Sequence, residues 1–92
     1  MATILIVDDS ITMMEGHKRI LEKQGHTVFH AENGEDGVTS ALEILPDLIL
    51  MDVVMPKMNG FQATRKITKD PRTQHIPVVI VTSKDQQTDI MW

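Results

Sequence analysis

The chain contains no cysteine and no tyrosine, and only 3% of its residues are aromatic. Without cysteine, disulfide frameworks and thiolate metal sites are excluded. Basic residues are outnumbered by acidic ones, nine to thirteen, and the net charge of −4 argues against a general attraction to nucleic acid or anionic membranes. No apolar run could span a bilayer, and the first nine residues, which already include two aspartates, are too acidic for a secretory signal. These absences predict a cytoplasmic protein.

The remaining composition supports one small folded domain. Hydrophobic residues make up 41% of the 92 residues, which is enough for a core, and we expect a single domain over residues 1–92. Aliphatic strand-like runs alternate with stretches of helical periodicity across short joints, and this alternation predicts an α/β fold. The predicted strands are Thr3–Val7, Thr27–Ala31, Asp47–Met51 and Pro77–Val81.

Three stretches between these strands carry apolar residues at helical spacing. The first has Ile11, Met14, His17 and Leu21 on one side, with Met13 and Ile20 as neighbours; the second has Val38, Ala41, Leu42 and Leu45; the third has Phe61, Thr64 and Ile67. Gly25 is a suitable stop for the first helix, Pro46–Asp47 ends the second, and Asp70–Pro71 breaks the third. Ser83 and Gln86 would begin a fourth helix with a capping box.

Carboxylates follow two of the aliphatic strands. Asp8 and Asp9 come directly after Ile4–Val7, and Asp52 comes directly after Leu48–Met51. Unbroken aliphatic strands are typical of parallel sheets covered on both faces, and ligands bind such sheets at the carboxyl ends of the strands. Three acids gathered there would repel one another unless a hard cation lay between them. The sequence therefore predicts a divalent metal site, with Mg²⁺ as the ion that oxygen ligands favour.

Hydroxyl side chains follow the fourth strand. Thr82 and Ser83 come after Val78–Val81, and we expect both at the same rim of the sheet. Ser83 is interpreted as a helix cap, whereas Thr82 is better placed to hydrogen-bond an anionic group beside the metal. No second acid follows Asp52 at the interval expected of aspartate-nucleophile phosphatases, which disfavours a phosphomonoesterase.

Together these motifs resemble the receiver domain of two-component response regulators, including chemotaxis regulators. The matching residues are Val7-Asp8-Asp9-Ser10, Ala31-Glu32-Asn33-Gly34, Met51-Asp52 followed by Met55-Pro56 and Gly60, and Val81-Thr82-Ser83. The resemblance implies a flavodoxin-like three-layer α/β sandwich with a parallel sheet of order 2-1-3-4. The alternating polar and apolar pattern of Thr27–Ala31 agrees with an edge strand. The segment Gly60–Arg65 with Lys69–Pro71 looks most like single-domain receivers of pilus twitching-motility systems.

The resemblance also implies a role for each matching residue. Asp52 would accept a phosphoryl group from a histidine kinase or phosphotransfer protein, so the chain would be a phosphoacceptor and not an enzyme with its own substrate. The implied Mg²⁺ ligands, which could also hold Mn²⁺, are the side chains of Asp8, Asp9 and Asp52 and the backbone carbonyl of Val54. Thr82 would bind the phosphoryl group and carry the switch, with Ser83 beside it.

The chain departs from the family after its fourth strand. The lysine that follows the fifth strand of receivers, and the aromatic switch residue within that strand, would lie beyond Trp92; Lys84 does not match the lysine's position. We therefore expect a receiver truncated before the fifth strand and last helix, with no catalytic lysine, at a cost of about 2–4 kcal/mol of transition-state stabilisation. The alternative is an interaction module that sequesters a kinase or forms a homodimer through the exposed edge of Val78–Val81.

Overall fold

The computed structural model describes residues 1–52 and 59–81. Its elements, in chain order, are β1 (Thr3–Val7), α1 (Ile11–Lys23), β2 (Thr27–Ala31), α2 (Gly34–Ile44), β3 (Leu48–Asp52), α3 (Gly60–Lys69) and β4 (Val78–Val81). The strands are all parallel and form one sheet of order β2-β1-β3-β4, which confirms the predicted α/β class and strand order. None of the helices in the described ranges has the length and apolar character that a bilayer span requires.

The sheet is the middle layer of three. Its side chains alternate between two faces, and helices pack against both of them. On one face, Leu5 and Val7 of β1 pack with Ile49 and Met51 of β3 in the larger core cluster, which also includes Ala41 of α2 and residues of α3. On the other face, Ile4, Ile6, Val28 and Met14 form a smaller cluster beneath α1. Both faces of β1 are thus buried, as its unbroken aliphatic sequence predicted.

Each described helix begins with a side-chain cap. Ser10 accepts a hydrogen bond from the backbone of Met13 at 3.3 Å, and Asn33 accepts one from the backbone of Asp36 at 2.9 Å. Asn59 forms a complete capping box with Gln62. A cap of this kind stabilises a helix by about 1 kcal/mol. These caps fix where the helices leave the carboxyl ends of the strands.

Close contact between α2 and β1 depends on Gly37. A Cβ atom at this position would lie 2.9 and 3.0 Å from the two Cγ atoms of Val7, which is closer than side chains normally approach. Glycine therefore lets the helix backbone settle directly onto the last residue of β1. Val7 immediately precedes Asp8, so this packing supports the strand end where the acids lie.

The predicted apolar side of α1 is confirmed only in part, since His17 is half-buried but the flanking positions are not covered. Met14 is buried and Leu21 packs partly against the smaller cluster, but Ile11, Met13 and Ile20 are exposed. The covered part of the helix is the side that carries Met14 and Leu21, which packs on the smaller cluster. Helical spacing identified an apolar surface without revealing how little of it would be covered.

The face predicted for α3 is also partly wrong. Phe61 is 60% exposed, whereas Ile67 is buried as expected. The buried positions of the helix are instead Gly60, Ala63 and Ile67. A stripe that includes Ala63 allows α3 to lie close to its neighbours, and Phe61 then projects from the side of the helix.

Two boundaries of the predicted elements are displaced. Asp47 lies before β3 and not within it: its amide donates to the Thr3 carbonyl at 2.7 Å and its carboxylate accepts from the Thr3 amide at 2.8 Å. α2 ends at Ile44, one residue before Leu45, which has a left-handed backbone (φ 52°). These contacts shift β3 by one residue, so that Asp52 is its last residue and not the residue after it.

The aliphatic strand β4 is more exposed than β1 and β3. In the part of the chain that the structure describes, it is a terminal strand of the sheet, and Val79 and Ile80 are 45% and 38% exposed. The strand does pair with β3, from Ile49 opposite Val78 to Asp52 opposite Val81. The described residues therefore leave apolar side chains of β4 exposed.

Candidate metal centre at the strand ends

The ends of β1 and β3 bring Asp8, Asp9 and Asp52 together. The two strands pair directly, with Val7 opposite Met51, so the residues that follow are neighbours at one rim of the sheet. One carboxylate oxygen from each aspartate lies within 4.8 Å of those of the other two. The acids that the sequence singled out therefore form one cluster, which we call the acid cluster.

Burial differs within the acid cluster. Asp8 and Asp52 are only 2% and 1% exposed, whereas Asp9 is exposed. Ionisable side chains are rarely buried to this degree in proteins, and like charges held this close repel one another. Two deep carboxylates with a third at the surface form a site that is open to solvent on the side of Asp9.

Hydrogen bonds to neighbouring residues hold Asp8 in place. Its amide donates to the Ala31 carbonyl at 3.0 Å, which continues the pairing of β1 with β2 beyond the last ladder residue. Its Oδ1 accepts from the Ser10 amide at 2.8 Å, and its backbone carbonyl lies 3.1 Å from Nε2 of His30. The backbone and one carboxylate oxygen of Asp8 are thus oriented by different neighbours.

Asp52 is positioned by the sheet itself. It is the last residue of β3 and pairs with Val81 of β4, while the preceding residue, Met51, pairs with Val7 of β1. A residue held in the interior of a parallel sheet has little freedom to move. Its carboxylate therefore projects from a rigid strand end beside the acids of β1.

The donor set of the acid cluster fits a small hard cation. Mg²⁺ binds oxygen ligands at about 2.1 Å and usually keeps several waters, so two ligands on opposite sides of one ion lie about 4.2 Å apart. The carboxylate oxygens lie within 4.8 Å of one another, which is of this order. No nitrogen or sulfur donor is part of the cluster, which favours Mg²⁺ over softer metals.

Some residues assigned to the site from the sequence lie outside the described residues. These are Val54, whose carbonyl was expected to bind the metal, and Thr82 and Ser83, which were expected to contact the phosphoryl group. The structure does describe Val81, the residue before Thr82, and places it opposite Asp52 in the ladder.

Sequence reasoning missed the contribution of His30. The sequence motifs assign no role to this histidine. A weak signal was available, because His30 occupies the penultimate position of β2, and β2 was predicted to pair beside the strand that ends in Asp8. Only the register, with Ile6 opposite His30, shows that its ring can reach the backbone of Asp8.

Comparison with known proteins identifies the family. Residues 4–91 match the response regulator receiver domain. The chain belongs to this family. Receiver domains are phosphoacceptor modules of two-component signal transduction and interact with histidine kinases or phosphotransfer proteins, so the resemblance drawn from the sequence is confirmed.

Individual relatives agree with this assignment. The chain is 61% identical over 92 residues to Protein PilH of Pseudomonas aeruginosa, covering all of this chain and 76% of that protein. It is 42% identical over 92 residues to the response regulator PleD of Caulobacter vibrioides, of which it spans 19%. The N-terminal domain of a response regulator receiver protein from Methanoculleus marisnigri superimposes with a TM-score of 0.87 at 34% identity, covering 96% of this chain and 72% of that one. The flavodoxin-like receiver fold is thus confirmed.

Proposed function

We propose that Asp52 is the phosphoacceptor of this receiver domain, and that Asp8 and Asp9 complete a Mg²⁺ site beside it. The observation that carries this proposal is the approach of oxygens from all three carboxylates to within 4.8 Å of one another. The donor would be a phosphohistidine on a histidine kinase or phosphotransfer protein. Cytoplasmic location follows from that partner class, and the 61% identity to Protein PilH supports a role in a pilus twitching-motility system.

The transfer forms one bond and breaks another. A carboxylate oxygen of Asp52 attacks phosphorus, and the bond from phosphorus to the donor's imidazole nitrogen breaks with its electron pair remaining on the nitrogen. The products are an aspartyl phosphate and, once the departing imidazole has taken a proton from solvent, a neutral donor histidine. Because β3 holds Asp52 between β1 and β4, its oxygen can be presented in line with the leaving nitrogen at little entropic cost.

The acid cluster supplies the ligands of the ion. Asp8, Asp9 and Asp52 would hold Mg²⁺ together with the backbone carbonyl of Val54, and Mn²⁺ suits the same oxygen donors. The ion supplies neutralisation of the charge on the equatorial phosphoryl oxygens. Asp8 and Asp9 act only as ligands here, since Asp52 alone forms the new bond.

Hydroxyl groups after β4 complete the proposed site. Thr82 would donate a hydrogen bond to a phosphoryl oxygen and carry the switch, and Ser83 would lie beside it. The position of Val81 opposite Asp52 supports this assignment, because Thr82 directly follows Val81 in the sequence. No lysine of this chain is assigned to the phosphoryl group.

Phosphorylation can be tested with acetyl phosphate and Mg²⁺ as the donor and metal. The 92-residue chain should gain one phosphoryl mass by intact-mass spectrometry, and Asp52→Asn should gain none. Asp70→Asn, which removes an acid outside the cluster, should be labelled like the starting protein. An unchanged mass, under conditions that label another receiver domain used as a positive control, would instead support the alternative of a receiver that acts only as an interaction module.

We also propose that a second copy of this chain can pair along β4. Support comes from the exposure of Val79 and Ile80 on a terminal strand of the described sheet, because exposed aliphatic edges favour strand addition. Sedimentation of the starting protein should then show a dimer, and Ile80→Lys should shift it to monomer. A monomeric starting protein would contradict this part of the proposal.

A further inference from the structure

We infer that His30 is a positioning residue that sets the orientation of the peptide linking Asp8 to Asp9, and thereby the geometry of the acid cluster. This inference rests on the proposed Mg²⁺ site. It assigns a role to a residue of the neighbouring edge strand that contributes no ligand atom to the cluster. The deciding contact is the 3.1 Å approach of its Nε2 to the Asp8 carbonyl oxygen.

The direction of this hydrogen bond follows from its acceptor. A backbone carbonyl oxygen carries no proton, so Nε2 of His30 must donate. His30 lies opposite Ile6 in the β1–β2 register, and Ala31 lies opposite Val7. One residue beyond the ladder, the Asp8 amide donates to the Ala31 carbonyl at 3.0 Å. Both backbone polar groups of Asp8 are therefore held by consecutive residues of β2, one by main chain and one by a side chain.

Orientation passes from the Asp8 carbonyl to Asp9 through the planar peptide group. The Asp8 carbonyl and the Asp9 amide belong to the same rigid unit, so a donor that fixes the carbonyl also fixes the direction in which the backbone enters Asp9. Asp9 is exposed and lies after β1 has ended at Val7. The sheet ladder does not include it, and the His30 contact supplies orientation where the ladder has stopped.

The segment after β1 is short enough for this constraint to matter. Three residues separate the end of β1 from the start of α1. Ser10, the last of them, caps α1 and also donates its amide to Oδ1 of Asp8. Asp8 and Ser10 are thus tied to each other on either side of Asp9, and the His30 contact acts on the peptide that enters this short segment.

A merely structural role for His30 makes a different prediction. The side chain is half-buried near Val28 and could simply fill space beneath α1. In that case any residue of similar volume would serve equally well. If donation to Asp8 is the function, only a residue with a donor at the position of Nε2 can replace it. Glutamine places its amide nitrogen at about that distance from the backbone, whereas methionine has similar length and no donor.

Calorimetric titration with Mg²⁺ alone separates these roles. In the 92-residue chain, His30→Met should weaken Mg²⁺ binding roughly tenfold, the lower range for loss of a group that orients a metal ligand. His30→Gln should bind within a factor of about two of the starting protein. His75→Met is the matched control, because His75 is exposed in the loop before β4; its affinity should not change.

The outcomes distinguish this inference from the metal site itself. No Mg²⁺ binding by the starting protein would overturn both. Mg²⁺ binding that is equal in the starting protein, His30→Met and His30→Gln would overturn only the role of His30. Should His30→Met fail to fold by circular dichroism, His30→Asn replaces it, since its shorter amide cannot reach the Asp8 carbonyl. Equal affinity of His30→Asn and His30→Gln would contradict the inference as well.

Discussion

Two groups of acids in this molecule, one at the strand ends and one in a loop, lie in different surroundings. At the carboxyl ends of the strands, Asp8, Asp9 and Asp52 are gathered within 4.8 Å of one another. In the loop after α3, Asp70 stands beside Arg72, which contacts it with Nη2 at 2.9 Å, Nε at 3.1 Å and the backbone amide at 2.8 Å. Asp70 is thus paired with an arginine two residues further along the chain. The acid cluster instead brings together negative charges from the ends of separate strands.

The difference shows that aspartate can stabilise a loop in one place and form a cation site in another. Hydrogen bonds from the Arg72 side chain, followed by its backbone amide, lower the pKa of Asp70, and the pair organises a tight loop in which the amides of Thr73 and Gln74 donate to the Asp70 carbonyl. An acid that is satisfied locally stabilises local structure. Acids drawn together by long-range strand pairing instead create a place where an external cation is favoured.

The largest expected difference between the acid cluster and Asp70 is in how Mg²⁺ changes the melting temperature when an acid is lost from each. In the starting protein, Mg²⁺ at about 100 times its dissociation constant should stabilise the fold by about 2.7 kcal/mol, seen as a rise in melting temperature of several degrees. Asp9→Asn should abolish that rise, because the exposed position of Asp9 lets the substitution remove a ligand without disturbing the core. Asp70→Asn should retain the full rise. An equal Mg²⁺ response in both variants would erase the distinction between the two regions.

A smaller effect, on the free energy of unfolding, is expected when the contact of α2 with the end of β1 is disturbed. Gly37→Ala would bring a methyl group to 2.9 Å from Val7, and overpacking of this kind costs about 1–3 kcal/mol. The free energy of unfolding, measured with urea, should therefore fall. Gly16→Ala is the matched control, since nothing lies within 4 Å of a Cβ at that helical position, and the higher helix propensity of alanine should stabilise by up to about 1 kcal/mol. An equal rise in the free energy of unfolding in both variants would show that α2 does not pack closely against Val7.

The smallest effect is expected at Asp70. Asp70→Asn should change the melting temperature only slightly at neutral pH, because exposed ion pairs contribute little. The pKa of Asp70 is lowered on folding, so its stabilising contribution is present above the ordinary carboxylate pKa and is lost as the pH falls through the lowered value, below about pH 4. The difference in melting temperature between Asp70→Asn and the starting protein should therefore shrink on acidification. A difference that widens below that pH would contradict this assignment.

Much of the fold was predictable because it rests on local sequence. The aliphatic runs gave β1 and β3, the alternating run gave β2 as an edge, and strand-end acids indicated which rim carries the chemistry. Exposure was harder to predict. The spacing of Ile11 and Ile20 says nothing of how much of α1 the sheet covers, and that coverage is set by the layers as a whole.

Long-range contacts explain what remained hidden in the candidate site. The approach of His30 to Asp8 depends on the β1–β2 register, and the need for glycine at position 37 depends on how closely α2 meets Val7. Thr73 is a similar case: it is fully buried, and its hydroxyl donates to the Ile67 carbonyl at 2.6 Å. A threonine in a polar loop gives no sign of that partner until the loop has folded back on α3.

The position of a paramagnetic ion tests the central claim most directly. Mn²⁺ suits the same oxygen donors as Mg²⁺ and broadens the NMR signals of nearby amides. Asp70 follows the last residue of α3, a helix of 10 residues and about 15 Å in length, and is outside the acid cluster. Substoichiometric Mn²⁺ should therefore broaden the amides of Asp8, Asp9 and Asp52, leave those of Asp70 and Arg72 sharp, and be displaced by excess Mg²⁺. Uniform broadening, or broadening centred on Asp70, would contradict a single ion site built from the three strand-end carboxylates.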